Sequence, residues 1–475
     1  MNAAAPLPHA SHGWPAVQRA LREAIVAMLA ALAALACTLA IAPGRGPAVL
    51  AVVLAISLSR SHLDHDRRQR LESALALPVV GLAAVGVGAL LRHAPWIGAA
   101  VFVAGLFASI WLRRFGATAR RLGSLIALPF VTLLVVPHVA GASPGPVPPA
   151  LLPIVVALLA LFWVGALHAL AWKIGVLPRP RSADVAPARE RRDAERTGGL
   201  KPDAATRMAL QMAVGLAAAF VVGYVGFGER WAWIVLTAYI VQSGNRGRLD
   251  VAYKSVLRVV GAAAGTVLAL AADVHVGAHD AGTAALILVA LFLGVWLRPI
   301  TYVAWALFVT VALALLQGFA DEPPSHVLPL RLEEIVIGAL IGVAAAWYVL
   351  PVRSTGVLRR RLADALAALS AALDPAAPVR SSSAFAAAVD ALVPLAPAFR
   401  AARLVTRRWR AVQPADWIDA VVASRTRAIA LIERGGAPAD VRRAVGAARK
   451  ALLEPATLTT ALRTLRDALE RPPAE

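Results

Sequence analysis

Cysteine is almost missing from this 475-residue chain. Cys37 is the only one, so no intrachain disulfide can form. Charge is also scarce, at 16% of residues, where soluble domains average about 25%. With 59% hydrophobic residues and a mean hydropathy of +0.68, that deficit excludes an ordinary soluble enzyme. It points to a polytopic membrane protein. No Gly-x4-Gly-Lys-Ser/Thr stretch occurs, which excludes a phosphate-cradling loop and a built-in ATPase. No pair of carboxylates sits in the middle of an apolar run. Ionisable groups in hydrocarbon are costly and are kept there for a use, so a proton relay is not visible. Glu23, Glu333 and Glu334 fall at span ends, where snorkelling or capping explains them. No nucleophile–base pair and no metal-ligand set stands out. The chain is not expected to be an enzyme or to hold a cofactor.

What is present is base. The formal net charge is +20, nearly all of it arginine. In a soluble protein that charge would suggest nucleic acid. Here the arginines cluster in short segments between apolar runs, as in loops that face the cytoplasm, so no nucleic-acid partner is expected. A span needs about 17–25 apolar residues. Candidates lie near 24–42, 46–59, 74–91, 95–112, 122–138 and 151–172. Six more lie near 208–227, 231–242, 256–272, 283–297, 300–317 and 332–350. The first is read as a retained span rather than a cleaved signal. Residues 1–23 form an N-terminal segment, 173–207 a charged linker and 351–475 a region with no run able to cross a bilayer. The loops at 59–70, 113–121, 179–203, 245–254 and 353–361 are basic, with Arg298 in a short turn on the same side. The alternate loops, at 43–46, 92–95, 137–150, 226–230, 273–282 and 320–334, carry little base. Both termini are therefore expected in the cytoplasm.

The two sets of six correspond. Trp111-Leu112-Arg113 ends one apolar run, and Trp296-Leu297-Arg298 ends another 185 residues later. The same offset carries Arg22 to Arg207 and Gly46 to Trp231. "PFVTLL" at 129–134 meets "LFVTVA" at 307–312 at an offset of 178. The expected fold is all-α: two parallel six-helix transmembrane repeats, 24–172 and 208–350, plus a C-terminal cytoplasmic helical bundle. In the latter, Leu358, Leu362, Leu366, Leu369 and Leu373 form one helical stripe. Its charge suits contact with lipid headgroups or self-association.

Spans two (46–59) and eight (231–242) are the short ones and correspond under the repeat. Such pairs point to a binding site at the repeat interface. Span eight and its tail offer Trp231, Trp233, Tyr239, Gln242, Asn245 and Arg246. The aromatic rings are either stacking faces for a ligand or an interfacial belt. Arg258 is either a cytoplasmic-side anchor or an anion contact. Gly261 and Gly265 read as helix packing. Arg298 lies in a turn too short to escape partial burial. His168, in span six, reads as either a proton relay or a core histidine bonded to a neighbouring helix. "HLDHD" (62–66) and "HVGAH" (275–279) have the spacing of paired metal ligands but lack a third and fourth.

The stretch "RWAWIVLTAYIVQSGNRGRLDVAYKSVLRVVGAAAG" (230–265) resembles the fusaric acid resistance protein-like (FUSC) family of bacterial inner-membrane proteins. The shared pattern is a Trp-rich short span, a polar loop, then arginine and two spaced glycines: Trp231, Trp233, Arg258, Gly261 and Gly265. Ala262 stands where the family often has threonine. The resemblance is direct over 205–350 and looser over 18–172. It implies twelve spans and export of aromatic carboxylic acids across the inner membrane. The partners it implies are a small aromatic or organic anion, a periplasmic membrane-fusion adaptor and an outer-membrane channel. It also suggests kinship with plant malate channels. The expected function is a secondary exporter of small aromatic anions. A passive anion channel and a non-transporting membrane scaffold are the alternatives.

Overall fold

The computed structural model describes residues 14–60, 67–115, parts of 119–134, 147–148, 151–178, 203–273, 281–318, 324–375, 381–436 and 438–471. The expected span at 122–138 lies largely outside these. Residues 179–202 of the 173–207 linker and the histidine pairs at 62–66 and 275–279 lie outside them.

Among the described residues the secondary structure is helical throughout. The reason is compositional: long Ala, Leu and Val runs have good helix propensity and few competing side chains. In the first half the helices are α1 (Trp14–Ile41), α2 (Arg45–Arg60), α3 (Arg67–His93), α4 (Pro95–Trp111) and α5 (Leu152–Lys173). In the second half they are α6 (Ala204–Gly226), α7 (Trp231–Gln242), α8 (Arg248–Asp273), α9 (Ala281–Leu297), α10 (Tyr302–Gly318) and α11 (Pro324–Tyr348). Local signals set the ends. Pro95 opens α4 where its missing N–H costs nothing. Asp203 caps α6 by accepting from the Thr206 amide at 2.8 Å.

The described residues up to 243, together with those of 254–349, fall in one compact unit. Within it α1, α2 and α5 pack on one another, and so do α6, α7 and α11. α4 packs on α6, and α9 packs on α1. Two of the apolar clusters that result are large. One holds Met28, Ala31, Leu54, Leu58, Val156 and Ala160. The other holds Phe102, Leu106, Met212, Leu216, Phe220 and Ile234. Lipid tails are as apolar as these side chains, so close packing rather than water exclusion holds such helices together.

Residues 244–253 and 350–475 fall in a second unit. Its helices are α12 (Ser354–Ala372), α13 (Ser383–Asp390), α14 (Ala396–Thr406), α15 (Pro414–Glu433), α16 (Ala439–Ala451) and α17 (Pro455–Glu470). They share one buried cluster that includes all five leucines of the 358–373 stripe. Trp417 donates from Nε1 to Thr459 Oγ1 at 3.0 Å.

Among the described residues, six helical stretches are long and apolar enough to cross a membrane: Ala16–Ile41, Pro95–Phe115, Leu152–Lys173, Ala204–Gly226, Arg248–Ala271 and Ser383–Thr406. Shorter apolar helices lie at Gly46–Ser59, Val79–His93, Gly282–Leu297 and Tyr302–Leu316. The protein is a multi-pass membrane protein. The last of the six corrects the expectation that nothing beyond Pro351 has the length and composition of a span. That stretch is broken by a 3-10 turn at Val393–Leu395. Its Phe385, Val389, Leu392, Leu395 and Phe399 are already buried in the second unit's own cluster.

Candidate functional site

α7 has only twelve residues and none of them is exposed. At 1.5 Å per residue it rises about 18 Å. That is well short of the roughly 30 Å of a hydrocarbon core. Glycines let its neighbours close on it. On α11, a Cβ added at Gly338 would lie 2.5 Å from the Ile234 carbonyl oxygen and 2.9 Å from Thr237 Cβ. Gly342, one turn on, meets Val241. On α6, Gly223 faces Trp231.

This packing buries charge. Trp233, 8% exposed, faces protein rather than lipid. The Arg331 guanidinium lies 4.1 Å from its ring centroid. Arg331 and Glu334 are 2% and 1% exposed, three residues apart on α11 and so on one face. Arg230 Nη1 approaches Glu334 Oε1 at 3.6 Å. Here the structure corrects the sequence reading. The stretch 320–334 reads as a loop, with Glu334 at a span end. Instead α11 begins at Pro324 and Glu334 lies inside it, buried. A carboxylate is therefore buried within α11. Its arginine neighbours reduce the cost of holding it there.

A second cluster forms around Trp305 on α10. The guanidinium of Arg298, in the turn after α9, lies 4.9 Å from the Trp305 ring centroid. That of Arg258, on α8, lies 5.9 Å from the same centroid. The Tyr302 ring is 5.2 Å from that of Trp305. Arg258 is 1% exposed, and its Nε and Nη1 have no hydrogen-bond partner. No carboxylate of a described residue lies within 4 Å of Arg258 or Arg298. Burial pushes the Arg298 guanidinium down to about 10, so it stays charged at neutral pH. Two cations thus share one indole with no anion to balance them among the described residues, an arrangement that can receive one. α8 reaches Trp305 because Gly261 and Gly265 lie against α10. An added Cβ there would meet the Val303 carbonyl oxygen at 2.7 Å and the Leu307 carbonyl oxygen at 2.5 Å.

The remaining residues singled out in the sequence are placed as follows. Trp231 stacks among Phe220 and Tyr224, with centroids 5.2 and 5.3 Å away. Tyr239 is half-buried on α7. Gln242 is buried and donates to the Ala238 carbonyl at 3.2 Å. Asn245 and Arg246 belong to the second unit, where the Arg246 amide donates to Asp250 Oδ2 at 3.1 Å and its guanidinium to the Pro394 carbonyl. His168 hydrogen-bonds through Nδ1 to the Val164 carbonyl, one turn back in its own helix. No group of three metal-ligating side chains occurs among the described residues. Sequence reading missed Arg331 and Trp305. The signal for the first was present, an Arg-x-x-Glu spacing on one helical face. A tryptophan within an apolar run, such as Trp305, carries no comparable mark.

No curated protein and no solved structure matches the chain. Residues 213–345 match the family model described as fusaric acid resistance protein-like. That segment contains α7, both arginine clusters and the paired glycines of α8 and α11. Over this segment the chain is similar to the fusaric acid resistance protein-like (FUSC) family.

Proposed function

We propose that the protein is a secondary transporter. It exports small aromatic carboxylic acids or related amphipathic anions across the bacterial inner membrane. The observation that carries this reading is the pair Arg258 and Arg298 over Trp305. A guanidinium pair suits a carboxylate, and the indole face suits the ring attached to it. In this reading the two halves are parallel repeats with both termini and the C-terminal helices in the cytoplasm. The helix pairings support the repeat: α1, α2 and α5 match α6, α7 and α11, and α4 on α6 mirrors α9 on α1. A periplasmic adaptor and an outer-membrane channel would complete the efflux route. A passive anion channel would need the arginines but no buried acid. Glu334, buried beside Arg230, favours the coupled reading.

The test is efflux of a labelled hydroxybenzoate from preloaded bacteria that lack their own exporters. Cells carry this chain, its Arg258→Ala variant, or neither, each with and without a protonophore. Faster efflux that both the substitution and the protonophore reduce is expected. Efflux that persists with the protonophore and follows voltage would favour the channel. Efflux equal to the empty control, even with an adaptor co-expressed, would overturn the reading.

A further inference from the structure

In the second unit, α14 and the turn after it present two kinds of side chain. Inward, Ala396 and Phe399 join the shared cluster. Arg400 and Arg403 are neutralised by α15, with Arg400 Nη2 2.6 Å from Asp419 Oδ1 and Arg403 Nη1 2.6 Å from Asp416 Oδ1. Outward, Leu404 is 81% exposed, Val405 66% and Trp409 77%. Around them stand Arg407, Arg408 and Arg410, all exposed and without an ion pair to any described residue. This surface is a built one. Gln413, 7% exposed, donates through Nε2 to the Arg410 carbonyl at 2.7 Å, and its Oε1 accepts from Thr406 Oγ1 at 3.1 Å. Those bonds fix the turn that displays Trp409.

We propose that Leu404, Val405 and Trp409, ringed by Arg407, Arg408 and Arg410, dock on an anionic lipid surface. Three lines of chemistry favour a bilayer. An indole settles at headgroup depth. Arginine can lay its stem on apolar surface and keep its head among phosphates. Leucine and valine enter the acyl boundary as the apolar side of an interfacial helix does. The three unpaired positive charges complement acidic headgroups. The bilayer is also always at hand, because the apolar helices belong to the same chain and raise its effective concentration. Covering the patch in this way removes three large apolar side chains from water, which a free unit leaves exposed. The inference does not depend on what is transported.

The experiment uses the full chain in nanodiscs. Cys37→Ser removes the only cysteine, and Val405→Cys carries an environment-sensitive fluorophore. Ala447→Cys, on the exposed side of α16, is the control. Discs contain phosphatidylcholine alone or with phosphatidylglycerol, plus a quencher attached to lipid tails. Quenching at 405 but not at 447 is expected, stronger with phosphatidylglycerol and weaker in high salt. Each arginine reversed to glutamate should weaken docking about fivefold or more. The combined Arg407→Glu, Arg408→Glu and Arg410→Glu variant should abolish it. Unchanged fluorescence at 447 would show that this variant still folds. Equal quenching at both positions, none at 405, or quenching indifferent to the reversals would overturn the proposal. So would shielding of 405 in detergent that rises with protein concentration, which would assign the patch to a second copy.

Discussion

Arg331 lies over the face of Trp233 at 4.1 Å, one helix turn from the buried carboxylate of Glu334. The contact joins α11 to α7, a helix with no exposed residue. Arg230 reaches the same carboxylate from the turn before α7. Charge and aromatic surface therefore pin a helix that hydrophobic sorting alone would leave free to slide.

Removing the acid should cost more than removing the outer base. Glu334→Gln leaves buried positive charge without its counterion, which costs about 3 kcal/mol. Arg230 is partly exposed and can turn to water, so Arg230→Ala should cost about 1 kcal/mol or less. Thermal unfolding of the detergent-solubilised protein checks the order. Equal losses would mean that Glu334 is held by something other than these arginines.

Arg258 should show the opposite sign. Its buried guanidinium has two unpartnered nitrogens, so it destabilises the resting fold. Arg258→Met, of similar bulk, should raise the melting temperature by a stabilisation of about 1–4 kcal/mol. Export should be lost at the same time. A variant that melts lower would show that the site is satisfied at rest.

Trp305 should set preference for rings. Trp305→Leu keeps the apolar character but removes the π face, a contribution of about 0.5–1.5 kcal/mol to an aromatic partner. Competition by aromatic acids for labelled hydroxybenzoate efflux should weaken severalfold relative to aliphatic acids. Trp305→Phe should retain most of the preference. Parallel losses for both ligand types would remove the indole from the substrate path.

Glycine replacements separate packing from propensity. Gly338→Val drives a side chain into the Ile234 carbonyl and should disrupt α7 packing, seen as loss of folded protein after solubilisation. Gly446, inside α16, has nothing within 4 Å of a Cβ. Gly446→Ala should therefore stabilise the second unit by about 0.5–1 kcal/mol. Denaturation of both variants under the same conditions provides the comparison.

Apolar runs are legible because each helix meets lipid or protein with nearly all its faces, so hydropathy alone marks it. α2, α4, α5 and α7 begin and end within a few residues of the runs read from the sequence. The stretch 320–334 reads as a loop because the Pro323-Pro324 pair looks like a breaker. Pro324 instead sits at the first position of α11, where no N–H is needed. The two residues of that stretch that matter, Arg331 and Glu334, then read as boundary charges. Arg258 is visible as an arginine entering an apolar run. Its convergence with Arg298 on Trp305 is not, because two separate helices and a turn meet there. Asn245 and Arg246 follow α7 closely in sequence, yet the glycines at 244 and 247, with φ of 59° and 116°, turn the chain into the second unit.

The enclosure of α7 also bears on how the protein meets membranes of different thickness. Hydrophobic mismatch acts on a helix through the lipid it touches. α7 is walled by α6 and α11 and touches little or none. Thickening or thinning the bilayer would tilt the longer outer helices while the inner segment keeps its depth relative to its own walls. The arginine and indole surfaces it helps to frame would then be tuned by protein sequence, and largely insulated from changes in acyl-chain length as the surrounding lipids are remodelled.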